Sequence, residues 1–405
     1  MIDSSQVALE QEAAQSLSRS GVELRAGTEN SPLRVLHVHS GNLYGGVETT
    51  LIAQAGHREP GLNMQLSFAL CFAGRFSEEL AAIRAPVYWL GEVRVRNPLS
   101  VRRARQRLKS LLRQQAFDLV VTHSSWSQAI FGSIVRESGL PLVFWLHGAA
   151  QGRHWLERWA SRTPPDLVMC NSHFTASTLP NLYRNRPSKV VYPPHDSKQV
   201  RPSITERLAI RAELETPPDA VVIVQVSRME SWKGHALHLE ALSLLKDLPQ
   251  WVCWQVGGAQ RRSEARYLKA LKNLAVKLGI ADRVRFVGQR SDIAALLSAA
   301  DIYCQPNTGP EPFGLTFIEA LLAQLPVVTT AMGGAQEIID DSCGLLTDPD
   351  PNALAASLKR LIEDAQLRMS MSVVGPARAR KLCGVGTQLN RMNELFSELV
   401  RRDKV

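Results

Sequence analysis

The chain has 405 residues, 45% of them hydrophobic, which is length and apolar content enough for two domains with cores of their own. No apolar run approaches the roughly 20 residues of a bilayer-spanning helix. The six cysteines, Cys71, Cys170, Cys253, Cys304, Cys343 and Cys383, lie far apart in mostly apolar segments, which argues against a disulfide framework or a zinc cluster and for the cytoplasm.

Residues 1–32 are polar, lack a hydrophobic signal core and read as a mobile tail. From residue 33, short apolar runs alternate with amphipathic stretches. Residues 33–38, 66–71, 87–90, 119–122, 142–146 and 167–170 read as buried parallel strands, because their apolar residues run continuously instead of alternating with polar ones. With helical spacers between them, they predict a doubly wound Rossmann-like domain over residues 33–195. After the first strand, HSGNLYGGVETT places Gly41, Gly45 and Gly46 before a helix beginning near Glu48, where backbone amides can face a ligand. The spacing is not G-x-G-x-x-G, and no acid ends the second strand, so a nicotinamide dinucleotide is not indicated. A plain strand-to-helix turn is the structural alternative.

The formal charge of +9 is uneven: residues 1–200 hold 22 Lys+Arg against 15 Asp+Glu, or +7, and residues 201–405 hold 25 against 23, or +2. Part of the surplus lies in residues 94–113, where Arg94, Arg96, Arg102, Arg103, Arg105, Arg107, Lys109 and Arg113 occur with no acid between Glu92 and Asp118. Val101, Leu108, Leu111 and Leu112 give this stretch an apolar side. It fits a helix resting on an anionic membrane surface, and it fits equally a solvated outer helix. Nucleic acid is not expected as a partner, since no recognition motif or aromatic stacking pattern accompanies the charge. Further on, His147 ends the strand 142–146 and puts an imidazole at a carboxyl strand end. His37, His39 and His123 also stand at or near strand ends and are read as structural.

The alternation pauses over residues 192–220, where Pro193-Pro194 and Pro217-Pro218 bracket one short charged helix, as an interdomain connection would. A second strand series follows at 221–226, 251–256, 284–287, 301–304 and 327–329, and from about residue 353 the chain is helical. Two facing Rossmann-like domains leave a cleft lined by the carboxyl ends of both sheets. The first strand of the second series ends in VSRMESWKG, so Arg228 and Lys233 lie five residues apart across a turn. From there both cations can reach one diphosphate.

The stretch GPEPFGLTFIEALLAQLPVV, residues 309–328, carries two carboxylates around a helix start. Glu311 lies in the loop, the free amides fall at about Phe313 to Leu315, and Glu319 sits about a turn and a half inside. An anion site flanked by carboxylates suits a ligand with both phosphates and hydroxyls. Asp348-Pro349-Asp350 imitates a metal-binding D-x-D, but a turn with a helix N-cap explains it, and no metal site is assigned. No serine nucleophile elbow, Walker A lysine loop or His/Cys metal cluster is present in the sequence.

In their order and spacing, GNLYGGVE, His147, SRMESWKG, RVRFVGQ, AADIYCQPN, EPFGLTFIEALLAQLPVV and GGAQEIIDDSCGLLTDPD resemble the retaining GT-B glycosyltransferases of family 4, the "glycosyl transferases group 1". The resemblance implies a GT-B fold, with a donor domain over residues 196–384 and a helix at 385–405 returning to the first domain. It implies a nucleoside-diphosphate sugar as co-substrate, a glycan, lipid-linked or small acceptor in cell-envelope or exopolysaccharide synthesis, and neither metal nor other cofactor. Arg228 and Lys233 would hold the donor diphosphate, Glu311 the sugar hydroxyls, and the amides of Phe313, Gly314 and Leu315, beside Thr316, sugar or phosphate. Glu319 would take the ribose, Val287-Gly288 the base, Gly45-Gly46 the donor phosphate from the first domain, and His147 the sugar near its reacting carbon. The setting expected from the cysteines is the cytoplasm, and the basic stretch adds a peripheral place on the inner face of the membrane. Ser227 and Gln324 depart from the family pattern, each standing where glycine is common. The alternatives are a GT-B nucleotide-sugar epimerase or hydrolase, and a non-catalytic scaffold that binds nucleotide sugars.

Overall fold

The computed structural model describes residues 31–42, 44–57, 63–195, 203–248, 250–259 and 261–402. Most of the expected tail, residues 1–30, therefore lies outside the described residues. A seven-stranded sheet is built from β1 (Leu33–His39), β2 (Met64–Leu70), β3 (Val87–Trp89), β4 (Leu119–His123), β5 (Leu142–Leu146), β6 (Leu167–Cys170) and β7 (Ser188–Val190), in the order β3-β2-β1-β4-β5-β6-β7. A six-stranded sheet follows from β8 (Val221–Val226), β9 (Trp251–Val256), β10 (Val284–Gly288), β11 (Ile302–Gln305), β12 (Val327–Thr330) and β13 (Gly344–Thr347), in the order β10-β9-β8-β11-β12-β13. Every pairing in both sheets is parallel.

Parallel strands covered on both faces must be apolar throughout, and β4, β5 and β6 (LVVTH, LVFWL and LVMC) are buried at every position. The edge strands β7 and β13 were not foreseen. The first is Ser-Lys-Val with its first two residues exposed, and the second, Gly-Leu-Leu-Thr, has only Leu345-Leu346, so neither carries an apolar run of strand length.

Each sheet reverses its winding once, between β1 and β4 and between β8 and β11. At such switch points the helices leave to opposite faces and open a crevice beyond the carboxyl ends of the strands. His39, His123, Arg228 and the loop carrying Glu311 all follow or end these four strands. The closing helix, Val385–Arg402, buries Val385, Leu389, Met392, Phe396 and Val400 along one stripe. That stripe packs on Val35, Val121, Val143 and Trp145 of the first sheet, so the chain ends against the half in which it began. Among the described residues no helix is long and apolar enough to cross a membrane.

Gln324 adopts φ +63°, just past the helix Leu315–Leu322. There Leu325 N bonds Ala320 O at 2.9 Å and Gln324 N bonds Leu321 O at 3.0 Å, which is a helix end built for glycine. We expect Gln324→Gly to raise stability by about 1 kcal/mol, a gain to be read in chemical denaturation.

The basic stretch forms the helix Pro98–Gln114, with Val101, Ala104, Leu108 and Leu111 inward. Its freedom from acids holds in sequence but not in space. Lys109 Nζ meets Glu137 at 2.9 Å, Arg94 meets Glu92 at 3.4 Å, and Arg105 turns inward to donate to the Ile130 carbonyl at 2.6 Å. Next to this helix lies a hollow of about 490 Å³, walled by Val101, Arg102, Arg105, Lys109 and Trp159.

Candidate functional site

Between the two sheets lies a cleft of about 270 Å³, lined from the first half by Gly46, Thr50, His147 and Asn171, and from the second by Arg228, Trp232, Lys233, Glu311, Phe313, Gly314 and Leu315. Eight of the residues singled out in the sequence thus share one space. Gly45, Val287, Gly288, Thr316 and Glu319 are not among its lining residues. Val287 instead walls a separate hollow with Arg285 and Arg290, which shares no lining residue with the cleft, and β10 breaks register between Phe286 and Gly288. Thr316 Oγ1 reaches Gln305 Oε1 at 3.5 Å.

The centre of the cleft is the ion pair Lys233 Nζ–Glu311 Oε2, 2.7 Å long and largely buried. The same carboxylate oxygen accepts from Asn307 Nδ2 at 2.9 Å and from Gln305 Nε2 at 3.3 Å, both from buried side chains. A carboxylate held by an ammonium and two amides is fixed in place and keeps its other oxygen for a ligand. Lys233 also sits 4.0 Å over the Trp232 ring. The Lys233 carbonyl accepts from Gln225 Nε2 at 2.8 Å, so the turn that carries the cation is tied to β8. Arg228, half-exposed, reaches Glu230 at 3.1 Å and supplies the second cation of the cleft.

Backbone geometry keeps this loop where it is. Gly333 brings its chain so close to Glu311 that a Cβ there would lie 2.3 Å from the Glu311 carbonyl oxygen, and Gly334 N donates to that carbonyl at 2.7 Å. Ser227 is not among the described residues of positive φ, so its turn does not require glycine there, and its hydroxyl is 3.0 Å from His235 Nε2. Asp350 accepts from Ala353 N at 2.9 Å at the start of the helix Pro351–Glu363, as a capping residue does. Among the described residues no group of three or more His, Cys, Asp or Glu is arranged to hold a metal ion.

Glu319 faces His195, whose Nε2 is 3.8 Å away. Burial pushes its carboxyl up to about 7, and the quarter of its side chain left exposed to solvent limits that shift. A raised carboxyl pKa stabilises the folded state below the ordinary value of 4.5, and that contribution is lost as pH rises through about 7. Ligand hydroxyls prefer the ionised form as acceptor. If Glu319 holds ribose, donor affinity is therefore expected to rise several-fold from pH 6 to pH 8. Calorimetric titration with a nucleoside-diphosphate sugar measures this, and Glu319→Gln is expected to flatten the pH dependence.

Sequence reasoning missed the groups that support the site. Asn307 stands in a loop that no motif singles out, and Gln305 follows an apolar run like many strand-end residues. Asn171 donates to the His147 carbonyl at 3.0 Å, and Ser172 Oγ donates to the Pro312 carbonyl at 2.5 Å, joining the first half to the Glu311 loop. Glu337 accepts from the amides of His173 and Phe174 at 2.9 and 2.8 Å and from Tyr192 Oη at 3.0 Å, so an acid of one half caps a helix of the other. Of the histidines read as structural, His123 stands directly behind His147, and His37 and His39 pack against His123. No local pattern marks any of these pairs.

Known proteins share this fold. The family model described as "Glycosyl transferases group 1" matches residues 206–377, and the one described as "Glycosyltransferase Family 4" matches residues 44–199. The chain is 31% identical over 244 residues to a D-inositol 3-phosphate glycosyltransferase of Corynebacterium urealyticum, a match covering 58% of this chain and 57% of that one. It is 29% identical over 213 residues to the lipopolysaccharide core biosynthesis glycosyltransferase LpsE of Rhizobium meliloti, covering 52% and 58%. These matches span somewhat under three-fifths of each relative. Among solved structures, HepE of Anabaena in complex with UDP and glucose superposes with a TM-score of 0.79 at 26% identity, over 90% of this chain and 99% of that one. Two sheets of this topology, a shared cleft and two family models that meet near residue 200 lead to one conclusion: the chain belongs to the family 4 glycosyltransferases of GT-B fold.

Proposed function

We propose that the protein is a retaining glycosyltransferase that moves a sugar from a nucleoside diphosphate to a hydroxyl of a glycan, lipid-linked or small-molecule acceptor in cell-envelope or exopolysaccharide synthesis. The observation that carries this reading is the Lys233–Glu311 pair, set with Arg228 in one cleft opposite His147. The likeness to a HepE structure that holds UDP and glucose supports it and makes a UDP-sugar the first donor to test.

In this reading Arg228 and Lys233 offset the charge that develops on the diphosphate as the bond from sugar C1 to phosphate oxygen breaks. The free oxygen of Glu311 holds sugar hydroxyls, and Glu319 holds the ribose, with the base near Val287-Gly288. Gly45-Gly46 and the amides of Phe313, Gly314 and Leu315, beside Thr316, line the path of sugar and phosphate. The acceptor oxygen attacks C1 on the face the phosphate leaves. Its proton passes to that phosphate, so no side chain is needed as nucleophile. Two side-chain cations supply the charge compensation, and transfer is expected to proceed without added metal.

Incubation with UDP-, GDP- and ADP-sugars in the presence of EDTA, with the anomeric protons of the product followed by NMR, tests the proposal. Transfer with retention is expected. Inversion would refute the retaining mechanism, and epimerised or free sugar from donor alone would favour the epimerase or hydrolase reading.

We propose further that the helix Pro98–Gln114 attaches the enzyme peripherally to anionic membrane. This is motivated by its cations and by Leu99, which is 61% exposed on its first turn. Co-flotation with phosphatidylserine liposomes at low salt is expected, with release at high salt. A protein that never floats would leave the helix as solvated surface.

A further inference from the structure

We infer that His147 is held in a single tautomer, with its proton on Nδ1, by a relay of imidazoles that runs inward through His123 to His37. Its remaining ring nitrogen then donates a hydrogen bond into the cleft and does not accept one. That the receiving group is a sugar oxygen rests on the transferase reading above.

The three residues stand on neighbouring strands at the carboxyl end of the first sheet: His37 within β1, His123 at the end of β4 and His147 directly after β5. His37 Nδ1 lies 2.9 Å from His123 Nε2, and His123 Nδ1 lies 2.9 Å from His147 Nε2. Successive ring planes are inclined by only 23° and 13°, with ring centroids 5.1 and 5.2 Å apart. The surroundings keep all three neutral: burial pushes His37 and His147 down to about 3 and holds His123 well below the ordinary range.

A contact between two imidazole nitrogens needs one proton between them, so a neutral chain has only two proton orders. In one, His37 Nδ1–H donates to His123, His123 Nδ1–H donates to His147, and His147 carries its proton on Nδ1. In the other, every donor is reversed and the last proton lies on His37 Nε2. That atom is buried and has no hydrogen-bond partner among the described residues. A bare lone pair there costs less than an orphaned N–H, and so the first order prevails.

His147 is steadied from the side as well. Asn171 holds its carbonyl, and the Trp145 ring lies 5.1 Å away. With Nε2 accepting from His123 and Nδ1 protonated, His147 has no lone pair for the acceptor proton. It is a donor to a sugar oxygen and not a general base, which leaves proton transfer to the departing phosphate. His123 acts through His147 and is a positioning residue.

The tautomer can be read directly from imidazole ¹⁵N–¹H correlation spectra of the full chain without nucleotide sugar, with His147 assigned by the loss of its signals in His147→Phe. The wild type is expected to show a protonated Nδ1 and a bare Nε2. His123→Asn places an amide N–H where the Nδ1 donor was, and is expected to keep that tautomer and most of the turnover. His123→Leu supplies no donor, so His147 is expected to shift toward the Nε2–H form. With it kcat is expected to fall about tenfold, the size of one neutral hydrogen bond. A wild-type His147 protonated on Nε2, or the same His147 tautomer in the Asn and Leu variants, overturns the inference. The spectra need no substrate, so they are decided independently of the transferase reading, which fails instead if the wild type transfers no sugar. Should His123→Leu not fold, the wild-type and His123→Asn spectra still decide.

Discussion

Lys233→Ala and Glu311→Ala are each expected to lower sugar transfer by roughly two to three orders of magnitude while the protein remains folded. Lys233 is the cation fixed deepest in the cleft, its ammonium 2.7 Å from Glu311 and 4.0 Å over the Trp232 ring. In the proposed transfer its removal takes away a preorganised charge where the leaving diphosphate would become more negative. It also leaves the Glu311 carboxylate buried with only the neutral amides of Asn307 and Gln305, at a stability cost of about 1–3 kcal/mol. The two variants should separate in binding. Loss of Lys233 is expected to weaken UDP itself, whereas loss of Glu311 should leave UDP affinity within a few-fold and fall on the sugar. Initial rates with UDP-glucose, UDP titrations and thermal melts of both variants measure these effects. Wild-type turnover in both would remove the pair from the mechanism.

Gly234→Ala is expected to destabilise the protein by about 3 kcal/mol or more and to lower transfer at least tenfold in whatever fraction folds. Gly234 has φ +75°, and a Cβ there would lie 1.7 Å from the carbonyl oxygen of Pro306 and 2.5 Å from its carbon. The obstacle is backbone, so no side-chain rotation relieves it, and one of two loops must move. One loop carries Lys233 and the other carries Asn307, which holds Glu311. Stability and catalysis are therefore expected to fall together, unlike in Lys233→Ala, where catalysis falls further. Urea denaturation beside initial rates tests this, and an unchanged midpoint would show that the loops can part at little cost.

Most of the architecture was legible in the sequence because its signals are local. Continuous apolar runs such as LVVTH and LVFWL announce buried parallel strands, and Pro193-Pro194 and Pro217-Pro218 mark where one series stops. The edge strands β7 and β13 escaped; Ser188–Val190 has no apolar run to announce it and owes its form to pairing with β6. The basic helix was legible as amphipathic. Its partner Glu137, 28 positions away from Lys109, was not, so a stretch free of acids in sequence meets one in the fold.

The candidate site divides in the same way. Glycines before helix starts, two cations across a turn, and a glutamate on either side of a helix end are spacings within one segment, and the sequence by itself determined which residue types stand at the strand ends. Only the tertiary structure decided which of those ends meet. The imidazoles of His37, His123 and His147 come from positions 86 and 24 apart, and Glu337 caps a helix more than 160 positions away. Hydrophobic periodicity fixes which way a side chain points relative to its own strand or helix, and it carries no record of strand order. That order follows from the burial of whole faces against one another, and from it come the neighbours that hold His147 and Glu311 in place.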